Sequence, residues 1–147
     1  MNEFRTGFLP EGQLDVRAVT GAGARLGVLE AYGLDALEND PELTAIARFA
    51  ARLCGTWAAI VNLVEAERQR FLGREGLTIL EAEAGPASCC VHTMHGGAPL
   101  EVPDASLDAR FADNPFVTGE PYLRFYAGFP LVSPEGVPLG ALCVIDP

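Results

Sequence analysis

Residues 122–146, YLRFYAGFPLVSPEGVPLGALCVID, constrain the fold more than any other part of the chain. Two apolar runs of strand length flank Ser133-Pro134-Glu135-Gly136, with Pro at the second turn position and Gly at the fourth, and this spacing predicts one β-hairpin. Pro134 presets φ and Gly136 relieves the exit from the turn, so the register is well specified. Strand alternation puts Leu123, Phe125, Ala127, Phe129 and Leu131 on one face. Arg124, Tyr126, Gly128, Pro130 and Val132 share the other. Neither set is plainly polar, so the hairpin belongs in the middle of a sheet with cover above and below.

A chain of 147 residues is about one domain and buries roughly 70% of its surface on folding, so a core of its own is within reach. With 49% hydrophobic and 20% charged residues it is not a disordered chain. No apolar run reaches the ~20 residues of a membrane span, and no cationic segment leads into an apolar one at the N-terminus. A soluble, cytoplasmic protein is expected. Ten basic against twenty acidic residues give a formal charge of -10, which repels a phosphate backbone or an anionic lipid surface; neither nucleic acid nor membrane is an expected partner. In a reducing compartment Cys54, Cys89, Cys90 and Cys143 are expected as free thiols.

Residues 1–22 show no sustained period and are expected to form a flexible arm before a single domain over 23–147. Leu26 and Leu29 support a short helix from Ala24 to about Ala31, ending near Gly33. Asp40 and Pro41 start a second helix that Gly55 stops, with Leu43, Ile46, Ala47, Ala50 and Leu53 along one face. Trp57 to Glu65 reads as a buried strand, and Arg68 to Gly73 as its partner across a short turn. Ser88 to His95 suits a short helix, and Leu100 to Val102 a short edge strand. The loop PDASLDARFADNPFVTGEP is long enough to be functional, and Phe111, Phe116 and Val117 anchor it as a cap. The sum is an α+β fold: a central antiparallel sheet of five to six strands, N-terminal helices on one face, and a cap of loop and short helix on the other. A ligand would lie between sheet and cap.

Five stretches, in order, carry a resemblance to a known family: RLGVLEAYGLDAL, LCGTWAAIVNLVEAERQRF, Cys90-Val91-His92, DARFADNPFVTGEPYLRFYAGFPL and PLGALCVID. From about Ala24 to Asp146 the chain resembles a GAF domain, the small-molecule sensory module of bacterial signal transduction, in particular the subgroup that precedes histidine kinase or diguanylate cyclase domains. The resemblance implies strand order 2-1-5-4-3, a ligand pocket on one sheet face and dimerising helices on the other. It further implies a non-catalytic domain, a homodimer, and an output kinase or cyclase domain in a longer protein, of which this chain reads as a module; no cofactor is expected. Relatives commonly carry Phe-Cys-Ala-His where this chain has Cys89-Cys90-Val91-His92, so the carry-over stops at Cys90 and His92.

The ligand-binding candidates are Cys90, His92, Asp104, Arg124 and Tyr126. Alternation puts Arg124 and Tyr126 on one sheet face beside Gly128, where a guanidinium and a phenol would flank a gap suited to an anionic or polar ligand. A structural pair bonded to the cap's own carboxylates fits the same residues. The cap's polar groups, Asp104, Asp108, Arg110, Asp113 and Asn114, also suit local turn bonds, with Asp108 and Arg110 as an ion pair. In CCVHTMH, Cys89, His92 and His95 lie one helical turn apart, which is the spacing behind a metal or redox sensor centred on Cys89, Cys90 and His92. One helical stripe does not close a tetrahedral site, and no metal is expected. Some proteins of this fold reduce free methionine sulfoxide, but the surrounding motif is missing here. Val91 separates Cys90 from His92, so the Cys-His pair of bilin-bearing relatives is also missing. A purely structural dimerisation module is the remaining reading.

Overall fold

A computed structural model of the chain describes residues 14–147. Four helices come first: α1 (Val16–Thr20), α2 (Gly23–Tyr32), α3 (Leu34–Leu37) and α4 (Pro41–Cys54). The longest of them follows its end signals. The Asp40 carboxylate accepts hydrogen bonds from the backbone N–H groups of Glu42 at 2.8 Å and Leu43 at 3.3 Å, and Pro41 occupies the first turn. Gly55 closes the helix in the left-handed region at φ 65°, as Gly33 closes α2 at φ 63°.

The strands are β1 (Ala58–Val64), β2 (Arg68–Glu75), β3 (Glu81–Glu83), β4 (Leu100–Val102), β5 (Phe125–Val132) and β6 (Pro138–Asp146). They form one antiparallel sheet in the order β3-β2-β1-β6-β5-β4. Leaving aside β3, the other five run 2-1-5-4-3 in their own numbering, as the resemblance implied. The added edge strand has three residues and pairs Arg68–Arg70 with Glu81–Glu83, in a segment too rich in Glu and Gly to announce a strand. Between β3 and β4 stands α5 (Cys89–Gly96), and between β4 and β5 a 3-10 turn (Ala105–Leu107) and α6 (Pro115–Thr118).

Each face of the sheet carries its own core. On one side α2 and α4 cover the sheet through Leu29, Ala47, Ala51, Val61, Leu63 and Leu72. On the other, α5 and the cap meet Ile60, Phe71, Phe111, Val117, Tyr126 and Cys143. The hairpin behaves as its alternation requires: Phe125, Ala127 and Leu131 face the helices, and Tyr126 faces the cap. Leu123 departs from that pattern. It precedes β5, donates its N–H to the Phe116 carbonyl at 2.7 Å, and turns into the cap-side core. Cover is also incomplete, because Phe129 (59%) and Val132 (51%) remain exposed at the outer half of β5.

Two expectations need correction. In α4 the buried residues are Ala47 and Ala51, whereas Ile46, Phe49 and Leu53 are exposed. The cause is the close approach of α4 to β2. A Cβ at Gly73 would collide with the Leu43 backbone carbonyl, so only small side chains fit between helix and sheet and the large ones are displaced to the flanks. The arm expected over 1–22 falls outside the described residues up to position 13, and residues 14–22 hold a helix where no element was expected. Val16–Thr20 is helical, and Leu14 and Val19 are buried against Val91 and Met94 of α5. Arg25, fully buried on α2, ties these pieces together through the Thr20 carbonyl at 2.8 Å, the Leu139 carbonyl at 3.5 Å and the Met94 sulfur at 3.4 Å. Burial lowers its pKa to about 10.

Candidate functional site

A group of buried polar side chains gathers under the cap. Ser88 caps α5, its Oγ accepting from the Val91 N–H at 3.3 Å, and so sets Cys89, Cys90 and Thr93 over the sheet. Opposite, Asn62 is the one polar residue of β1, and the register shift between Val61 and Asn62 marks a bulge beside it. Asn62 Nδ2 and Ser88 Oγ both donate to Gln69 Oε1 at 2.8 Å, and Gln69 Nε2 donates to the Glu83 carbonyl at 2.7 Å. Asn62 Oδ1 is left, fully buried, with no hydrogen-bond partner. Edge strand β3 therefore serves the site, because its backbone fixes the Gln69 amide.

Between these groups lies a cavity of ≈ 50 Å³, walled by Asn62, Gln69, Phe71, Cys90, Tyr126 and Cys143 among others. That is space for about four waters at ~10–15 Å³ each. Tyr126 bounds it from β5. Its hydroxyl lies 2.7 Å from Thr93 Oγ1 and 3.4 Å from Cys90 Sγ, while Thr93 Oγ1 donates to the Cys89 carbonyl at 2.9 Å. The Tyr126 ring folds back over Gly128, and a Cβ there would strike the phenol oxygen. Cys90 Sγ is 3.7 Å from Cys143 Sγ. Hydrogen bonds from Cys143 and Tyr126 pull Cys90 below its ordinary value against the opposing effect of burial. Cys143 is pushed well up by its bond to Cys90 and by burial, and Tyr126 by burial first. Burial likewise raises Cys89 strongly.

Of the five residues singled out in the sequence, Cys90 and Tyr126 meet at this cavity and the other three do not line it. His92 points out of it. Its Nε2 hydrogen-bonds the Pro86 carbonyl at 2.7 Å and its ring stands edge-on to Phe111 at 4.9 Å, and burial lowers its pKa. Asp104 caps the 3-10 turn by accepting from the Ser106 N–H at 3.0 Å and hydroxyl at 2.6 Å, which holds its carboxyl below the ordinary value. Arg124 donates to the carbonyls of Val117 at 3.2 Å and Leu123 at 2.9 Å, so the guanidinium fastens the cap to the hairpin. Asp108 and Arg110 form the expected pair, at 2.7 and 3.0 Å. Asn114 caps α6 and also donates to the Ala87 carbonyl at 2.8 Å. Among the described residues, no group of three His, Cys, Asp or Glu side chains could hold a metal ion. None of their helices is long and apolar enough to cross a membrane.

Asn62, Gln69, Ser88 and Cys143 were not among the sequence candidates. The signals existed: an amide inside the apolar run AAIVNLV, and the hairpin register that sets Cys143 opposite Gly128 and hence on the face of Tyr126.

No family model matches the chain. A cyclic di-GMP phosphodiesterase of Pseudomonas aeruginosa is 40% identical to it over 122 residues, 83% of this chain and 20% of that protein. The chain thus spans about a fifth of that relative's length. Among solved structures, the GAF domain of a phosphoenolpyruvate-protein phosphotransferase from Coxiella burnetii matches 85% of this chain and 79% of its own, with TM-score 0.60 and 13% identity. A free methionine-R-sulfoxide reductase from Neisseria meningitidis, solved in complex with its substrate, matches over 83% and 71% with TM-score 0.57 and 17% identity. The chain has the fold of a GAF domain.

Proposed function

We propose that this GAF-fold chain is a sensory domain of a bacterial signalling protein, non-catalytic itself, that binds a small polar molecule between sheet and cap. The observation that carries the reading is Asn62 Oδ1, a fully buried acceptor on the cavity wall with no partner. An orphaned buried acceptor costs about 1–3 kcal/mol, and a ligand with an N–H or O–H donor would recover it. The Gln69 and Ser88 side chains hold the Asn62 amide in place for that contact.

Cavity size restricts the ligand. Pockets for drug-sized molecules run to ~300–1,000 Å³. Against ≈ 50 Å³ here, a molecule of a few heavy atoms fits as the site stands, and a nucleotide does not. The name of the Pseudomonas relative bears on output: in a longer protein this domain would govern cyclic di-GMP turnover, or a kinase or cyclase, and not bind the dinucleotide in this cavity. Transmission would be a population shift, in which the ligand favours one placement of α5 and the cap over another. The exposed apolar stripe of α4, Ile46, Phe49 and Leu53, suits a dimer interface through which that shift would pass.

The test is a thermal-shift and native mass-spectrometry screen of small polar metabolites against the wild-type chain and Asn62→Leu. One ligand class should raise the wild-type midpoint by mass action and leave the folded variant's midpoint unchanged. If no class shifts the wild type, or if Asn62→Leu responds equally, the cavity is not a binding site of this kind.

A further inference from the structure

We propose that Cys90 and Cys143 form a dithiol that a hydroperoxide closes to a disulfide, a modification site in the wall between the cap and the sheet. The two sulfurs come from elements 53 residues apart, α5 and β6, yet lie 3.7 Å from each other in the buried core. A disulfide bond measures ~2.05 Å, so closure needs the two sulfurs to approach by about 1.7 Å. The modification does not rest on the ligand-binding reading, although a ligand in the cavity would occupy the space from which the oxidant reaches the thiols.

The surroundings favour Cys90 as the attacking sulfur. It lies within hydrogen-bond distance of the Tyr126 hydroxyl at 3.4 Å and of Cys143 Sγ at 3.7 Å, and a proton donated in either contact would stabilise a thiolate at Cys90. The adjoining cavity, with space for a few waters, admits hydrogen peroxide to the thiols that wall it. In the first step the Cys90 thiolate attacks one peroxide oxygen. The O–O bond breaks, the departing hydroxide takes a proton and leaves as water, and Cys90 becomes a sulfenic acid. Cys143 then attacks the Cys90 sulfur, the S–S bond forms as the S–O bond breaks, and the hydroxide leaves with the Cys143 proton as a second water. The two thiols lose two electrons in total, and the peroxide gains them. The other cysteines are poorly placed for this bridge. Cys54 is exposed on α4, which packs on the opposite sheet face, and Cys89 adjoins Cys90 in the chain, where a bridge would strain the peptide between them.

The experiment uses the chain carrying Cys54→Ser, so that the three remaining thiols are all buried ones. Folded protein is treated with hydrogen peroxide, alkylated under denaturing conditions and mapped by mass spectrometry. The expected product has lost ~2 Da and carries one dithiothreitol-reducible link between the peptides containing Cys90 and Cys143. Adding Cys89→Ser should leave that link intact. In Cys54→Ser/Cys143→Ser the oxidation should stop at a Cys90 sulfenic acid that dimedone traps. A Cys89–Cys90 link, oxidation only after unfolding, or full alkylation of both Cys90 and Cys143 would overturn the proposal. Should Cys143→Ser not fold, the peptide map of the Cys54→Ser protein decides the matter by itself.

Discussion

The two faces of one sheet differ in kind. Beneath it, α2 and α4 meet the strands mainly through Leu, Val and Ala, with Phe125 and the buried Arg25 added, and the Gly73 contact brings α4 close to the sheet. Above it, the cap encloses an amide network, three thiols, a phenol and a cavity within an otherwise apolar core. Close packing of hydrocarbon gives the lower face one stable arrangement. The upper face holds a buried acceptor without a hydrogen-bond partner, Asn62 Oδ1. The same strands β1 and β6 supply both faces, so the difference comes from alternate residues of single strands.

Neighbouring residues on β1 make the largest test of that contrast. Leu63→Asn places an unpartnered amide in the helix-side core and should lower the unfolding free energy by about 4 kcal/mol in urea titration, the sum of lost burial and an unpaired amide. The reciprocal Asn62→Leu, one residue away on the cap side, should cost about 1 kcal/mol or less, because Gln69 Oε1 keeps Ser88 as a donor. Equal costs would break the comparison. Between these two, Tyr126→Phe should cost about 1.5 kcal/mol by losing its bonds to Thr93 and Cys90, with the ring's packing retained.

Smaller again is a pH effect at the rim of the cap. Burial lowers the pKa of His92 below its ordinary 6.5, so as pH falls through that value the unfolded chain takes up a proton that the folded chain refuses. Stability should therefore decline from pH 7 toward pH 5, and His92→Gln should flatten the slope; a slope unchanged by the substitution removes His92 from the account. The smallest expected change is on the outer side of α4. Leu53→Glu, at a position 73% exposed, should alter monomer stability by about 0.5 kcal/mol or less and yet abolish any dimer seen by light scattering. A large stability loss would show that Leu53 belongs to the lower core after all.

What the sequence made legible follows the range of each signal. The Asp40–Pro41 start, the Gly55 stop and the Ser133–Gly136 turn are local devices, and each stands in the structure where the residues put it. Apolar periodicity told which stretches are helices but not which face of α4 is buried, because that depends on how near β2 comes at Gly73. For the candidate site the division is sharper. Cys90 and Tyr126 reach the cavity because helix and strand geometry direct them there. His92, Asp104 and Arg124 satisfy backbone groups of turns that periodicity does not describe. The nearness of Cys90 to Cys143 joins a helix to a strand across 53 positions, and tertiary packing alone creates it.

The Tyr126 ring over Gly128 has a consequence for sequences that vary. The two positions share one ring's worth of space, so they should change together: a side chain at 128 is admissible when the one at 126 shrinks. Such an exchange would keep the mass of the wall constant while withdrawing the phenol from Thr93 and Cys90. Pairs at 126 and 128 would then serve as a signature sorting chains of this fold by the shape of their interior, readable without solving any of them.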